Sequence, residues 1–254
     1  MQRQQQINDH KRIASFSKLL KENPKDIRLA EALLSACANA TAKDDGSYET
    51  KTVEAEYAFK KGMEVYNACL FNAANARDID DKRKWIVLTK SSLLFLAHKY
   101  FDSFMLYLEF DRRPDKRFYA PRKNQLKPIV EGFQDVADGK IDLLTVSQPK
   151  RTGKTTLGLL FVIWRAGMQP DKSCFLVGRG DSLAKSFYDG CLTFLQDKAE
   201  YNYWDVFPGH ALSATNAEQR TIDLDSRHRF PTIMCNSIDS QITGRTEASN
   251  LLYC

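Results

Sequence analysis

Histidine is scarce in this 254-residue chain: only His10, His98, His210 and His228 occur, scattered so that none has a cysteine or acidic partner at catalytic spacing. Each reads as a surface or satisfied core residue, and no serine-based triad can be assembled. The six cysteines, Cys37, Cys69, Cys174, Cys191, Cys235 and Cys254, form no C-x-x-C pair and have no histidine at metal-ligand spacing. They read as reduced thiols of a cytosolic protein. The polar start MQRQQQINDHKR lacks the apolar stretch of a secretory signal and is not the Arg/Ser-rich start of an organelle import sequence. A long uninterrupted apolar run is also missing. The longest, Ser91 to Phe110, contains His98, Lys99, Asp102 and Glu109. A charge is costly at a bilayer centre, so this run reads as a buried helix and no membrane association is expected.

What remains is an ordinary soluble composition. Apolar residues make up 43% of the chain, enough for a substantial core in one large or two smaller domains. The net charge of +5 has its excess in the first 140 residues, which suggests an acidic partner.

The first part reads as helices: about Asp9 to Lys21, Pro24 to Ala38, Val53 to Ala76, and a long aromatic-rich helix from Asp81 to Phe110. In the third, Phe59, Met63, Tyr66 and Leu70 recur at steps of four, three and four, which lines one face. A basic run with two prolines, DRRPDKRFYAPRKNQLK from Asp111, marks a boundary, read equally as a solvated linker or a phosphate contact. A helical stretch follows from Pro128. Beyond it the pattern becomes strands alternating with helices: strands at Ile141 to Val146 and Ser173 to Gly178, helices reaching Met168 and from Asp181 to Lys198. Thr221 to Asp225 and Pro231 to Asn236 read as paired strands, and Leu251 to Cys254 as a last strand. The expected regions are therefore 1–110, a helical N-terminal region; 111–140, a basic linker; and 141–254. The fold class is α/β, with a mostly parallel sheet and helices on both faces.

The most informative stretch is SQPKRTGKTT, Ser147 to Thr156, between the apolar strand candidate and an apolar helix. A strand that turns tightly into a helix points backbone N–H groups and the positive helix end at one spot, where a phosphate can sit. Lys154 would reach the β and γ phosphates, and the Thr155 hydroxyl would hold magnesium. The general pattern wants glycine six residues before the lysine, where this chain has Gln148; only Gly153 is present. Asp223 and Asp225, alternating on one strand face, read as solvated rather than catalytic.

These residues, with those that follow, resemble the ATPase domain of the large terminase subunit, the DNA-packaging motor of tailed bacteriophages, over about Tyr119 to Cys254. Family members carry a deviant phosphate loop in which the early glycine is often replaced and a proline and arginine precede G-K-[ST]; Pro149 and Arg151 fill those places, with Lys150 a rival for the arginine's role. Trp164, Gly167 and Pro170 match a family pattern after the loop helix. Leu183 and Ala184 match its L-A position, Val206, Phe207 and Pro208 its V-F-P, and Ile242 to Arg245 its G-R element.

The resemblance implies a P-loop NTPase core that binds ATP and Mg. Gln148, Pro149, Lys150, Arg151, Thr152, Gly153, Lys154, Thr155 and Thr156 would form the cradle, with Thr155 on the metal. Arg151 becomes a candidate γ-phosphate contact. Gln125, with Tyr119 or Arg122, resembles the element that contacts adenine. The implied partners are double-stranded DNA, a small terminase subunit and a portal protein, with a homo-oligomeric ring in the intact motor. The implied location is the cytoplasm of an infected or lysogenic bacterial host.

In the family the catalytic acids directly follow the strand corresponding to Leu251 to Cys254, so a truncated ATPase is expected, inactive or nearly so by itself and without the nuclease domain. Two rivals stand beside this reading. One is another P-loop NTPase, helicase-like or a small-molecule kinase. The other is a non-catalytic nucleotide- or DNA-binding module with a vestigial loop.

Overall fold

A computed structural model describes residues 2–43, 46–226, 229–240 and 247–254. His228 and the G-R element expected at Ile242 to Arg245 lie outside the described residues. The chain divides into two compact units, Met1–Tyr107 and Leu108–Cys254, and the basic run from Asp111 falls in the second.

The first unit is helical: α1 (Gln2–Glu22), α2 (Ile27–Thr41), α3 (Val53–Asn75), α4 (Ile79–Ala97) and most of α5 (Phe101–Leu108). Short polar side chains start three of these helices by accepting first-turn N–H groups. Asp26 accepts from Arg28 and Leu29, Thr52 from Ala55, and Asp78 from Asp81. Because Asp26 takes the cap, α2 begins at Ile27 and Pro24 stays outside its first turn.

The buried face of α3 runs through Ala55, Ala58, Phe59, Gly62, Val65, Tyr66 and Cys69, while Leu70 from the expected stripe is 45% exposed. Small residues let α4 come close, and Phe95 stacks on Phe59 with ring centroids 4.4 Å apart. The single helix expected from Asp81 to Phe110 is two. At the break the N–H groups of Lys99 and Tyr100 both donate to the Leu96 carbonyl, and the Lys99 ammonium donates to the Thr50 carbonyl at 2.6 Å. That partner is distant in sequence, so the periodicity could not signal the turn. Among the described residues no helix is long and apolar enough to cross a membrane.

The second unit contains α6 (Lys123–Ala137), α7 (Lys154–Met168), β1 (Cys174–Gly178), α8 (Asp181–Gln196), α9 (Tyr203–Val206), β2 (Leu212–Asn216), β3 (Thr221–Leu224), β4 (Ile233–Ser237) and β5 (Leu251–Tyr253). The five strands form one sheet in the order β2-β3-β4-β1-β5. β1 pairs in parallel with β4 and β5, whereas β2 with β3 and β3 with β4 are antiparallel. The α/β class therefore holds, but the sheet is mixed rather than mostly parallel. The short connection between β2 and β3 turns the chain straight back, which a parallel pair cannot do.

Helix α7 is buried on nearly all sides from Leu157 to Trp164, so its apolar residues need no stripe. It and α8 meet the same face of β5. A Cβ on Gly158 would lie 2.4 Å from the Tyr253 hydroxyl, and the Phe187 ring of α8 is 5.6 Å from that of Tyr253.

The expected strand Ile141 to Val146 is not one of the five. Its residues still alternate, with Leu144 and Val146 half-buried and Leu143 and Thr145 exposed, which is the period of an extended chain. Among the described residues no strand pairs with it.

Candidate functional site

The stretch Ser147 to Thr156 forms a turn into the N-terminus of α7. Two residues in it adopt left-handed backbone: Arg151 with φ 66° and Gly153 with φ 91°. The first hydrogen bond of α7 runs from Leu157 N–H to the Gly153 carbonyl at 2.9 Å. Gly153 has no side chain to cap the helix, so the N–H groups of Lys154, Thr155 and Thr156 are uncapped at the positive end of a 15-residue helix. The side chains of Lys150, Arg151, Lys154 and Thr155 are exposed, and the three cations form no ion pair with any described residue.

Gln148 has a different task from the glycine it replaces. Its Oε1 accepts from the Thr152 hydroxyl at 3.2 Å, a proton shared with the Pro149 carbonyl at 2.9 Å, so it braces the turn from within.

Phe118 lies against this turn. A Cβ on Gly153 would meet two carbons of the Phe118 ring at 2.4 and 2.6 Å, and the Arg122 guanidinium is 5.3 Å from that ring's centroid. Phe118 is half-buried, while the neighbouring Tyr119 is only 1% exposed. Tyr119, an expected adenine contact, is therefore packed into the core, and the aromatic beside the loop is Phe118. Gln125, the other expected adenine contact, is exposed in the first turn of α6.

Glu109 positions this edge. The carboxylate is 3% exposed and accepts the N–H groups of Phe118 at 2.9 Å and Tyr119 at 2.8 Å, together with the Arg112 guanidinium at 3.2 Å. Sequence reading passed over Glu109 as an interruption in an apolar run. The signal was there, since an acid in such a run is buried only if its oxygens are satisfied.

Within the basic run several charges are engaged, although Arg113, Lys116, Arg122 and Lys127 stay exposed. Arg112 and Lys116 both pair with Glu200, Arg113 pairs with Asp115, and Arg117 donates to the carbonyls of Arg112 and Phe110. Glu200 is held below the usual carboxylate range by those hydrogen bonds from Lys116 and Arg112.

Beyond the loop, five of the residues that carried the family resemblance are packing residues, while Leu183 and Pro208 are exposed. Trp164 is 2% exposed, Val206 and Phe207 are buried, and Ala184 is fully buried. Gly167 admits the Phe207 and Tyr203 side chains, a Cβ there meeting them at 2.4 and 2.6 Å.

His210, read as a surface or satisfied residue, has a partner 15 positions away: its Nδ1 lies 2.6 Å from Asp225 Oδ2, while Asp225 Oδ1 accepts the Ala211 N–H. Asp225 follows the last residue of β3 with φ 62°, which takes it off the strand face shared with Asp223. Among the described residues no three His, Cys, Asp or Glu side chains converge as a metal site.

A cavity of about 440 Å³ adjoins the loop, lined by Leu143, Leu144, Lys154, Phe161, Leu251 and Tyr253 among others.

Comparison of the chain with protein-family models, with curated proteins and with solved structures finds no match.

Proposed function

We propose that the turn Ser147 to Thr156 binds the phosphates of ATP, and that the chain is the ATP-binding part of a viral DNA-packaging motor, the large terminase subunit. The observation that carries the nucleotide reading is the set of three uncapped N–H groups at the start of α7, bordered by the cations Lys150, Arg151 and Lys154, which form no ion pair with any described residue. Such a concentration of donors and positive charge suits a polyphosphate. Lys154 takes the β and γ phosphates, and Arg151 offsets charge that gathers on the γ-phosphate during transfer. The adenine ring stacks near Phe118 and Arg122 rather than on the buried Tyr119.

The exposed Thr155 hydroxyl would contribute one magnesium ligand. Magnesium keeps several waters and takes its other oxygens from the phosphates, so a single protein hydroxyl fits it; the ion would neutralise the triphosphate when bound.

The packaging role rests on the residues that resemble the family. It brings with it double-stranded DNA, a small terminase subunit, a portal protein and a ring of copies as partners, in the cytoplasm of a bacterial host. DNA contact would be salt-dependent and indifferent to sequence, because it rests on backbone phosphates.

Titration of the purified chain with ATP and magnesium tests the loop. Lys154→Ala is expected to weaken binding at least tenfold, and equal affinity of variant and parent would make the loop vestigial.

A further inference from the structure

The turn Ser147 to Thr156 is tied across its own interior. The Thr152 hydroxyl donates to the Pro149 carbonyl at 2.9 Å and shares that proton with Gln148 Oε1 at 3.2 Å. The first contact closes the chain from Pro149 to Thr152 into a ring, and the second joins the residue before that ring to the residue that ends it. Gln148 and Thr152 are half-buried, whereas Lys150 and Arg151 between them are exposed. The turn thus keeps its neutral hydrogen-bonding side chains under cover and presents its cations to solvent.

The backbone points the same way. A proline fixes its own φ and disfavours helical backbone in the residue before it, so Gln148 and Pro149 enter the turn with little freedom. Arg151 is left-handed at φ 66°, a conformation that a side chain adopts only where the surroundings over-determine it. The brace spans that residue, from Gln148 and Pro149 on one side to Thr152 on the other. Just beyond, the Phe118 ring lies against Gly153. In the general phosphate loop the early glycine leaves the backbone free to wrap onto its ligand. Gln148 occupies that position and does the reverse, because its side chain ties the turn from inside.

We propose that Gln148 and Thr152 are positioning residues of the turn, whose mutual bond sets its anion-accepting shape before any ligand arrives. Glycine at 148, the residue of the general pattern, therefore weakens the site. A ligand's apparent affinity falls in proportion to the fraction of molecules that already hold the competent shape, and cutting the brace lowers that fraction. The shape is a property of the turn itself; that it receives a triphosphate rests on the nucleotide reading.

Backbone amide NMR relaxation of the full chain without nucleotide reads the shape, and titration with magnesium and ATP reads its consequence. In the parent, Lys150 to Gly153 should be as rigid as α7, with order parameters of about 0.85. Gln148→Ala and Thr152→Val should each lower them below about 0.6, and the double variant no further, since both remove one bond. Thr152→Ser keeps the hydroxyl and should recover the rigid turn. Gln148→Gly and Gln148→Ala should bind ATP about tenfold more weakly than the parent, as a fall of the competent fraction to about one in ten requires. A bond that served stability alone would shift the unfolding midpoint and leave both the order of the turn and the ATP affinity unchanged. That result, a mobile turn in the parent, or, in a chain that binds ATP, equal or tighter binding by Gln148→Gly would each overturn the proposal. A rigid parent turn loosened by both single variants, in a chain that binds neither ATP nor tripolyphosphate, would support the brace and overturn the nucleotide reading alone.

Discussion

A methyl group on Gly153 would sit 2.4 Å from a ring carbon of Phe118, so the absence of a side chain at one residue is what lets the other close over the turn. The same residue has φ 91°, a backbone region that a side chain disfavours. Gly153 thereby fixes the approach of Phe118, the geometry of the turn and the uncapped start of α7.

Gly153→Ala is therefore expected to destabilise the unit 108–254 by about 1–3 kcal/mol, through strained backbone and a displaced ring. Adding Phe118→Ala removes the collision but not the backbone strain. Urea unfolding of the two single variants and the double variant should show the pair to be less damaging than the sum of its parts. Strict additivity would show that the ring contact contributes nothing.

Glu109 holds Phe118 and Tyr119 by their backbone. Glu109→Ala would strand two N–H groups and one partner of Arg112, at a cost of about 2–4 kcal/mol. Glu109→Gln keeps the shape but turns an NH₂ toward N–H donors, and should recover only part of that. If thermal unfolding finds Gln equal to the parent, the charge and both acceptor oxygens are dispensable.

Arg151 pays a conformational cost in its left-handed backbone. Arg151→Gly should raise stability by up to about 1 kcal/mol while weakening ATP binding, whereas Arg151→Ala weakens binding with no gain in stability. Calorimetry with unfolding on all three proteins separates the two effects. A loss of stability in the glycine variant would mean that the guanidinium supports the fold.

Five of the six thiols are buried and Cys254 is exposed. Burial pushes Cys37, Cys69, Cys174 and Cys235 up to about 12, and Cys191 well above a thiol's ordinary value. A folded-state value above the unfolded one contributes stability that is complete below the unfolded pKa, roughly 8.5, and is lost as pH rises toward the folded value. The unfolding temperature should therefore fall between about pH 9 and pH 12. At pH 8 a thiol reagent should modify Cys254 rapidly and the other five only on unfolding; fast reaction of a second cysteine would contradict their burial.

Local patterns carried much of the fold. Helix α3 was read within a residue of its ends because Thr52 caps it and its apolar spacing is regular, and α7 was legible as an unbroken apolar run after Gly153. The segments Thr221 to Asp225 and Pro231 to Asn236 read as a hairpin or paired strands, and β3 and β4 pair antiparallel; that β4 is buried along its whole length and also pairs in parallel with β1 depends on how distant segments return. Ile141 to Val146 shows the limit most clearly. Its residues alternate as a strand's do, yet a strand exists only through its neighbour, and no described residue pairs with it.

Of the candidate site, the turn through Gly153 into α7, with Lys154 and Thr155 at its start, was legible because such a turn is local: its donors are consecutive backbone groups. Phe118 over Gly153, Glu109 beneath Phe118, and the engagement of Arg112 and Lys116 by Glu200 were not. Each joins residues 9 to 88 positions apart, as the bond from Phe118 to Glu109 and that from Arg112 to Glu200 illustrate. The order of residues by itself determined that the first part is helical, which stretches are apolar, and that one turn concentrates N–H groups and positive charge. Only the tertiary structure decided which aromatic stands beside that turn, and which charges of the basic run are engaged by a distant acid. Those outcomes depend on what distant segments bring to the same place, and short-range pattern holds no record of that.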